Sequence, residues 1–242
     1  MLKRIPSLIL TFLLVCLTIP AFATDGDWEL ISNEDGFITQ RKGISGSNIF
    51  AFRGETIAEV SIGSLLSVFL DASTRKDWVD MFGGSNELIV KSPMDRTYWI
   101  RFNTPMPTSD RDYVLHAVGN ADHQARTFTT DIESVNHADK PEQDCCVRGQ
   151  AFRTFYRFQA IPGTNKTKVE VEVHTDPKGW IPNWLTNLIQ RKWPKKTLGS
   201  LIAQAQKPNV AVHPDYAGWH EVALSSQPEP ETADEAASLS AE

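Results

Sequence analysis

His116, His174 and the adjacent pair Cys145-Cys146 are the residues through which this chain could act as a catalyst or hold a metal. A general acid or base has to reach into a substrate site. Over Asp112–Gly119, Tyr113, Leu115 and Ala117 alternate with His116, and over Lys168–Thr175, Val169, Val171 and Val173 alternate with His174. Strand alternation therefore turns both histidines away from the apolar face and onto a solvated one. The cysteines are flanked by Asp144 and His137, without the spacing of a zinc site. Adjacent cysteines also cannot staple distant elements. The expectation is no catalytic group, no metal and no cofactor.

Two other segments carry more information. PMPTSDRDYV at 105–114 is a proline-stiffened loop opening into a strand that begins with Arg111-Asp112. DPKGWIPNWLTN at 176–187 ends a valine-rich strand, turns at Gly179 and starts an amphipathic helix through Pro182, a residue whose fixed φ suits a first helical turn. Neighbours along a strand face opposite ways, so Arg111 and Asp112 each need a separate partner. Arg148 on a nearby strand is the expected partner of Asp112, and the three are assigned structural roles. Trp180, Trp184 and Trp193 gather around the helix start, where amphipathic rings fit either a portal at a membrane interface or an ordinary core.

The elements that must position these residues follow from the hydrophobic pattern. Lys3 and Arg4, an apolar run from Leu8 to Ile19, Pro20 and Ala21-Phe22-Ala23 read as a secretory signal at 1–23, the run being short for a membrane span. Export would place the mature chain in a Gram-negative periplasm or outside the cell. Losing Lys3 and Arg4 moves the net charge from −6 to −8, which argues against nucleic acid as a partner. The basic stretch Arg191, Lys192, Lys195 and Lys196 is read as a solvated helix face. With no disulfide framework, stability must come from a hydrophobic core, and the length suits one sizeable domain, taken as a monomer. A short capped segment and a first strand over Trp28–Gln40, joined by a turn at Glu34-Asp35-Gly36, and a strand over Ile49–Ile57 precede a helix over Ser61–Asp71 and a break at Gly83-Gly84. Strand signals then run over Glu87–Ser92, Arg96–Phe102, Asp112–Gly119, Ala125–Ser134, Val147–Ala160 and Lys168–Thr175. Pro194 is expected to kink or split the last helix. This order predicts an α+β domain at 24–208, its helices on one face of an antiparallel sheet. Tyr216 and Trp219 mark an extension at 209–224, and the acidic, apolar-poor stretch at 225–242 is expected to be disordered.

Phe69-Leu70-Asp71 with Arg75 and Trp78, then PMPTSDRDYV, then Val147-Arg148, then DPKGWIPNWLTN: in this order and spacing the chain resembles the START family, the steroidogenic acute regulatory protein-related lipid-transfer domains, as a secreted bacterial-type member. The resemblance runs from about Trp28 to Gln206. It implies a helix-grip fold, in which a curved antiparallel sheet wraps a long C-terminal helix around a hydrophobic tunnel. It also implies non-enzymatic binding and transfer of one lipid, with transient membrane contact. In that frame the 105–111 loop, with Met106 as an adaptable apolar contact, forms a gate with the first turns of the helix, where Trp184, Leu185 and Leu188 lie. Strand parity assigns Tyr98, Ile100, Phe102, Tyr113, Leu115, Val171 and Val173 to the tunnel wall. Sterol-binding members often hold a charged pair deep in the tunnel. The corresponding positions here are Tyr98 and Ala117, so a phospholipid or other acyl lipid is expected ahead of a sterol. Parity also groups Val147, Gly149, Ala151, Arg153 and Phe155. If that face lines the tunnel, Arg153 is a buried cation that needs either a lipid phosphate or carboxylate, or a neighbouring Asp or Glu. The wider superfamily includes cyclases and hydrolases, so an enzyme acting on a hydrophobic small molecule is the alternative, and a domain that mainly binds a protein partner is a third.

Overall fold

Period-two alternation of apolar residues gives ten strands, and the computed structural model describes them within residues 25–181 and 183–221, with only the backbone for 183–191. The expected signal at 1–23, the tail from 225 onward and the side chains of Trp184, Leu185 and Leu188 lie outside the described residues. The strands are β1 (Glu29–Glu34), β2 (Phe37–Lys42), β3 (Ala51–Ala58), β4 (Phe82–Ser92), β5 (Asp95–Phe102), β6 (Asp110–Asp122), β7 (Thr127–Ser134), β8 (Cys146–Arg148), β9 (Gln150–Ile161) and β10 (Lys166–Asp176). They form one curved sheet in the order β1-β2-β3-β10-β9-β7-β6-β5-β4, antiparallel except where β8 pairs with β6.

Three helices cover the concave side. Helix α1 (Ile62–Leu70) is capped by Ser61, whose side chain accepts from the Ser64 amide, and it buries Ile62, Leu65 and Leu66 completely. A 3₁₀ turn at Ala72–Thr74 leads into the short α2 (Arg75–Trp78). Helix α3 (Asn183–Ala205) packs the buried Leu198, Leu201 and Ala205 beside α1. Pro194 does not split it. The proline ring is buried over β3, where a Cβ added to Gly54 would lie 2.6 Å from the Pro194 Cβ and 3.2 Å from the Phe37 ring. Packing of the ring against the sheet offsets the missing backbone hydrogen bond.

Two expected boundaries move for identifiable reasons. Gly83-Gly84 does not stop the chain: β4 runs through both glycines with a register shift between Phe82 and Gly84. The anticipated strand Val147–Ala160 divides at Gly149, where a Cβ would lie 2.3 Å from the Tyr113 ring. The short β8 before it pairs with β6, and β9 after it lies between β7 and β10. Cys145 and Cys146 are joined to each other at the entry to β8, so the disulfide ties no distant elements together.

The C-terminal extension packs back on the domain. A 3₁₀ segment at Pro214–His220 buries Tyr216 and Trp219, with the Tyr216 ring edge-on to Phe128 at 6.1 Å. The Ile62 amide donates to His220 Nε2 (2.9 Å) and the Gly163 amide to the His220 carbonyl (2.8 Å), so this segment also ties down the start of α1.

The close approach of α3 to β3 sets one prediction. Gly54→Val should force the helix off the sheet and cost about 1–3 kcal/mol, read as a lower midpoint in urea at an unchanged m-value. Gly43→Ala, whose Cβ meets nothing within 4 Å, should stay within about 0.5 kcal/mol of the parent.

Candidate functional site

Pairing of β5 with β6 aligns Tyr98 with Leu115, Ile100 with Tyr113, Arg96 with Ala117 and Phe102 with Arg111. All of these side chains lie on the concave face, yet the helices do not fill the space in front of them. A cavity of about 230 Å³ remains, closed on the helical side by Phe69, Leu70, Trp78, Trp193, Pro194 and Thr197. A well-packed interior holds few voids larger than a water molecule, so this one is an architectural feature rather than a packing defect.

Of the residues assigned to the wall from the sequence, Tyr98, Ile100, Phe102, Tyr113, Leu115 and Val173 line the cavity. Val171 faces the same way but is fully buried in the core and does not border the space. Met106 is 88 % exposed at a loop tip, away from the wall, whereas Thr104 and Arg111 at the ends of the same loop reach it.

Arg153 and Phe155 face outward, contrary to the parity argument. The cause is a β-bulge: His174 pairs with Arg153 and Thr175 with Ala151, so Phe152 is an extra residue on β9. One extra residue exchanges the two faces of everything after it. Ala151 lines the cavity before the bulge, and Thr154 and Tyr156 line it afterwards. Arg153 is half exposed, its Nε 2.6 Å from Asp131 and its Nη1 3.6 Å from Glu172. Phe155 is covered on the outer surface by the guanidinium groups of Arg153 and Arg157, 4.5 and 5.5 Å from its ring centre. The partner of Arg153 is thus a pair of protein carboxylates.

The two informative segments meet at Arg111. Its buried guanidinium donates from Nε to the Pro177 carbonyl (3.3 Å), from Nη2 to those of Lys178 (3.0 Å) and Trp180 (3.3 Å), and from Nη1 to that of Ser109 (2.6 Å). Asp112 points the other way and is wholly buried. It accepts from Arg148 Nε (2.9 Å) and Nη2 (2.8 Å) and from Trp99 Nε1 (2.7 Å). Burial opposes its charge, but the hydrogen bonds from Arg148 and Trp99 outweigh burial and hold the carboxyl below its ordinary pKa. His116 pairs with Asp95 at 2.9 Å, and His174 lies 3.3 Å from Ser47. Neither histidine borders the cavity. Burial pushes the hydroxyls of Tyr98, Tyr113 and Tyr156 above the ordinary phenol range, which keeps them protonated at neutral pH.

Sequence reasoning missed the polar end of the cavity. Arg75 lines it and forms an ion pair with Glu87, and Arg96 lies 4.0 Å from the same carboxylate. A charged pair is therefore present, at positions other than 98 and 117. Arg75 and Trp78 stood in a recognised motif, but their partner on β4 carries no local mark.

The sequence pattern of the START domain matches residues 21–193. The chain belongs to the START domain family. An uncharacterised protein of Pseudomonas aeruginosa is 26% identical over 186 residues, which cover 75% of this chain and 88% of that protein. The STAR-related lipid transfer protein of Xanthomonas axonopodis, solved as a fragment, matches with a TM-score of 0.64 at 24% identity, covering 74% of this chain and 99% of that one. Human StAR-related lipid transfer protein 5 matches with a TM-score of 0.68 at 15% identity, covering 74% and 86%. The START match ends inside α3, so Thr197 and the 3₁₀ segment that closes the sheet lie beyond it.

The Asp112–Arg148 pair yields a prediction for this START domain. Arg148→Met leaves a buried carboxylate with one fewer partner and should destabilise by about 3–5 kcal/mol. Because the folded pKa of Asp112 is depressed, its contribution is complete above the unfolded carboxyl pKa of about 4 and is lost as pH falls through the folded value. Acid titration of thermal stability should therefore be shallower in Asp112→Asn than in the parent, from a lower starting Tm.

Proposed function

We propose that this START domain carries one lipid with its apolar part in the cavity between the sheet and α3, moves it between membranes and performs no chemistry on it. The observation that carries this reading is the cavity itself, walled by Ile100, Phe102, Leu115, Val173 and the tyrosine rings. Two further features support binding over catalysis. Both histidines weighed as acid–base groups lie off the cavity wall, and burial moves the tyrosine hydroxyls that reach it still further from the neutral range in which a general base works. The human and Xanthomonas neighbours bear the name lipid transfer protein, which supports the same role here. An acyl lipid is proposed ahead of a sterol.

The path in and out is proposed to open between the 105–111 loop and the start of α3. Met106, 88 % exposed, and Trp180, 71 % exposed, stand on the two loops that Arg111 joins. Exposed apolar and amphipathic side chains there suit contact with a bilayer interface. The segment at 1–23 is proposed as an export signal, placing a monomeric carrier in the periplasm or outside the cell.

Uptake from vesicles checks the proposal. The full chain, incubated with vesicles that contain a labelled phospholipid and a labelled fatty acid, should emerge from size exclusion with bound label, and native mass spectrometry should show one lipid per chain. Ala117→Trp, which fills the cavity from β6, should reduce uptake to background while the protein stays folded. A parent protein that extracts no lipid from any vesicle would overturn the carrier reading.

A further inference from the structure

The polar end of the cavity is an incomplete hydrogen-bonding site. Arg75 is 7 % exposed and borders the space. Among the described residues its hydrogen bond is from Nη1 to Glu87, which leaves the Nε and Nη2 donors without a protein acceptor. The indole Nε1 of Trp78 and the hydroxyl of Thr197 are buried, border the same cavity and have no partner among the described residues. Buried donors of this kind are rare in folded proteins and call for an acceptor.

Charge narrows the acceptor. Arg75 and Arg96 face one carboxylate, Glu87, one of whose oxygens accepts no hydrogen bond. Two nitrogens of Arg96 are already spent on the Pro93 carbonyl. The cluster therefore carries one excess positive charge in a mostly apolar enclosure, where an unpaired charge is costly. A single negative charge neutralises it. A neutral sterol hydroxyl or ester does not. A phosphate monoester, at roughly −1.5 to −2, exceeds it and meets Glu87. A choline-type head adds a cation, but the Tyr98 ring beside the cluster is already covered by the Arg75 guanidinium at 3.9 Å.

We infer that the cavity takes a single-chain fatty acid, with its carboxylate on the Nε–Nη2 edge of Arg75 and with Trp78 Nε1 and Thr197 Oγ1 as further donors. The planar guanidinium edge offers two parallel N–H groups that match a carboxylate, and a carboxylate has acceptor capacity left for the indole and the hydroxyl. This rests on the reading of the cavity as a lipid carrier and specifies its cargo.

The test uses the full chain delipidated on a hydrophobic resin and titrated with palmitic acid, with methyl palmitate and with phosphatidylcholine vesicles. Palmitic acid should bind roughly tenfold or more tighter than the ester, the scale of a charge-assisted hydrogen bond. Arg75→Gln removes the excess charge and leaves Glu87 facing Arg96, so the cluster becomes neutral. It should lose the preference for the acid, the acid-to-ester ratio falling toward one. Should it fail to fold, Trp78→Phe and Thr197→Val preserve shape and should each reduce the acid-to-ester ratio. If acid and ester bind the parent within about twofold, or phosphatidylcholine is taken up in preference to palmitic acid, the carboxylate assignment is wrong while the carrier reading stands. If none of the three is bound, the carrier reading itself fails and the assignment with it.

Discussion

The Arg111 guanidinium donates to four main-chain carbonyls, three of them at residues 177, 178 and 180 just ahead of α3. The rest of the architecture depends on that fastening, because a helix over a cavity lacks the close contacts that would otherwise fix its position. Each missing neighbour forfeits dispersion energy, and only directional bonds can hold an element at a distance from the surface it covers. The next residue acts on the opposite face: Asp112 binds Arg148 and Trp99 and so holds β8 against β6. Val147 of β8 then packs 3.3 Å from where a Cβ of Gly179 would stand, at a backbone φ of +63°. Two consecutive residues of one strand thus secure both the sheet's end and the entrance to the helix.

Helix α3 divides its tasks along its length. Leu198, Leu201 and Ala205 are buried and pack as ordinary core near α1. Pro194 packs over Gly54 of the sheet, and Trp193 and Thr197 border the cavity on either side of it along the helix. Tyr216 and Trp219 of the extension, both buried, add further core at the end where α1 begins. This core is built where α1, the second half of α3 and the extension meet.

The legible parts of this protein were those governed by local periodicity. The alternations on β5, β6 and β10 placed Tyr98, Ile100, Phe102, Tyr113, Leu115 and Val173 on the wall because those strands keep a regular register past the relevant residues. On β9 the same rule misplaced Arg153 and Phe155, since a single extra residue at Phe152 leaves no trace in composition. Phe152 is itself apolar and 42 % exposed, which conceals the change of phase. The division at Gly149 is set by the distant Tyr113 ring, and the continuity of α3 through Pro194 by the absence of a side chain at Gly54. Both are tertiary contacts between residues far apart in sequence. Arg75 and Trp78 were visible as a motif, but their function needs Glu87 on β4 and Thr197 on α3, which no spacing rule connects.

The apolar cavity wall and the surplus buried charge of the polar cluster make demands that one ligand meets together. The apolar wall gains when a hydrocarbon chain replaces whatever water or void it faced, and the donors of Arg75, Trp78 and Thr197 gain when they meet an acceptor. Because a ligand that binds only the folded state stabilises it by an amount that grows with the logarithm of its affinity, selection of the cargo and stability of the container are governed by the same free energy. The polar cluster lies among β4, β5 and α2, whereas Met106 and Trp180 stand on loops that Arg111 fastens to the start of α3. A ligand that satisfies the cluster leaves its chain in the apolar space between. The proposed head-group site is thus built on elements other than the loops of the proposed gate, so selectivity and the rate of passage can change independently.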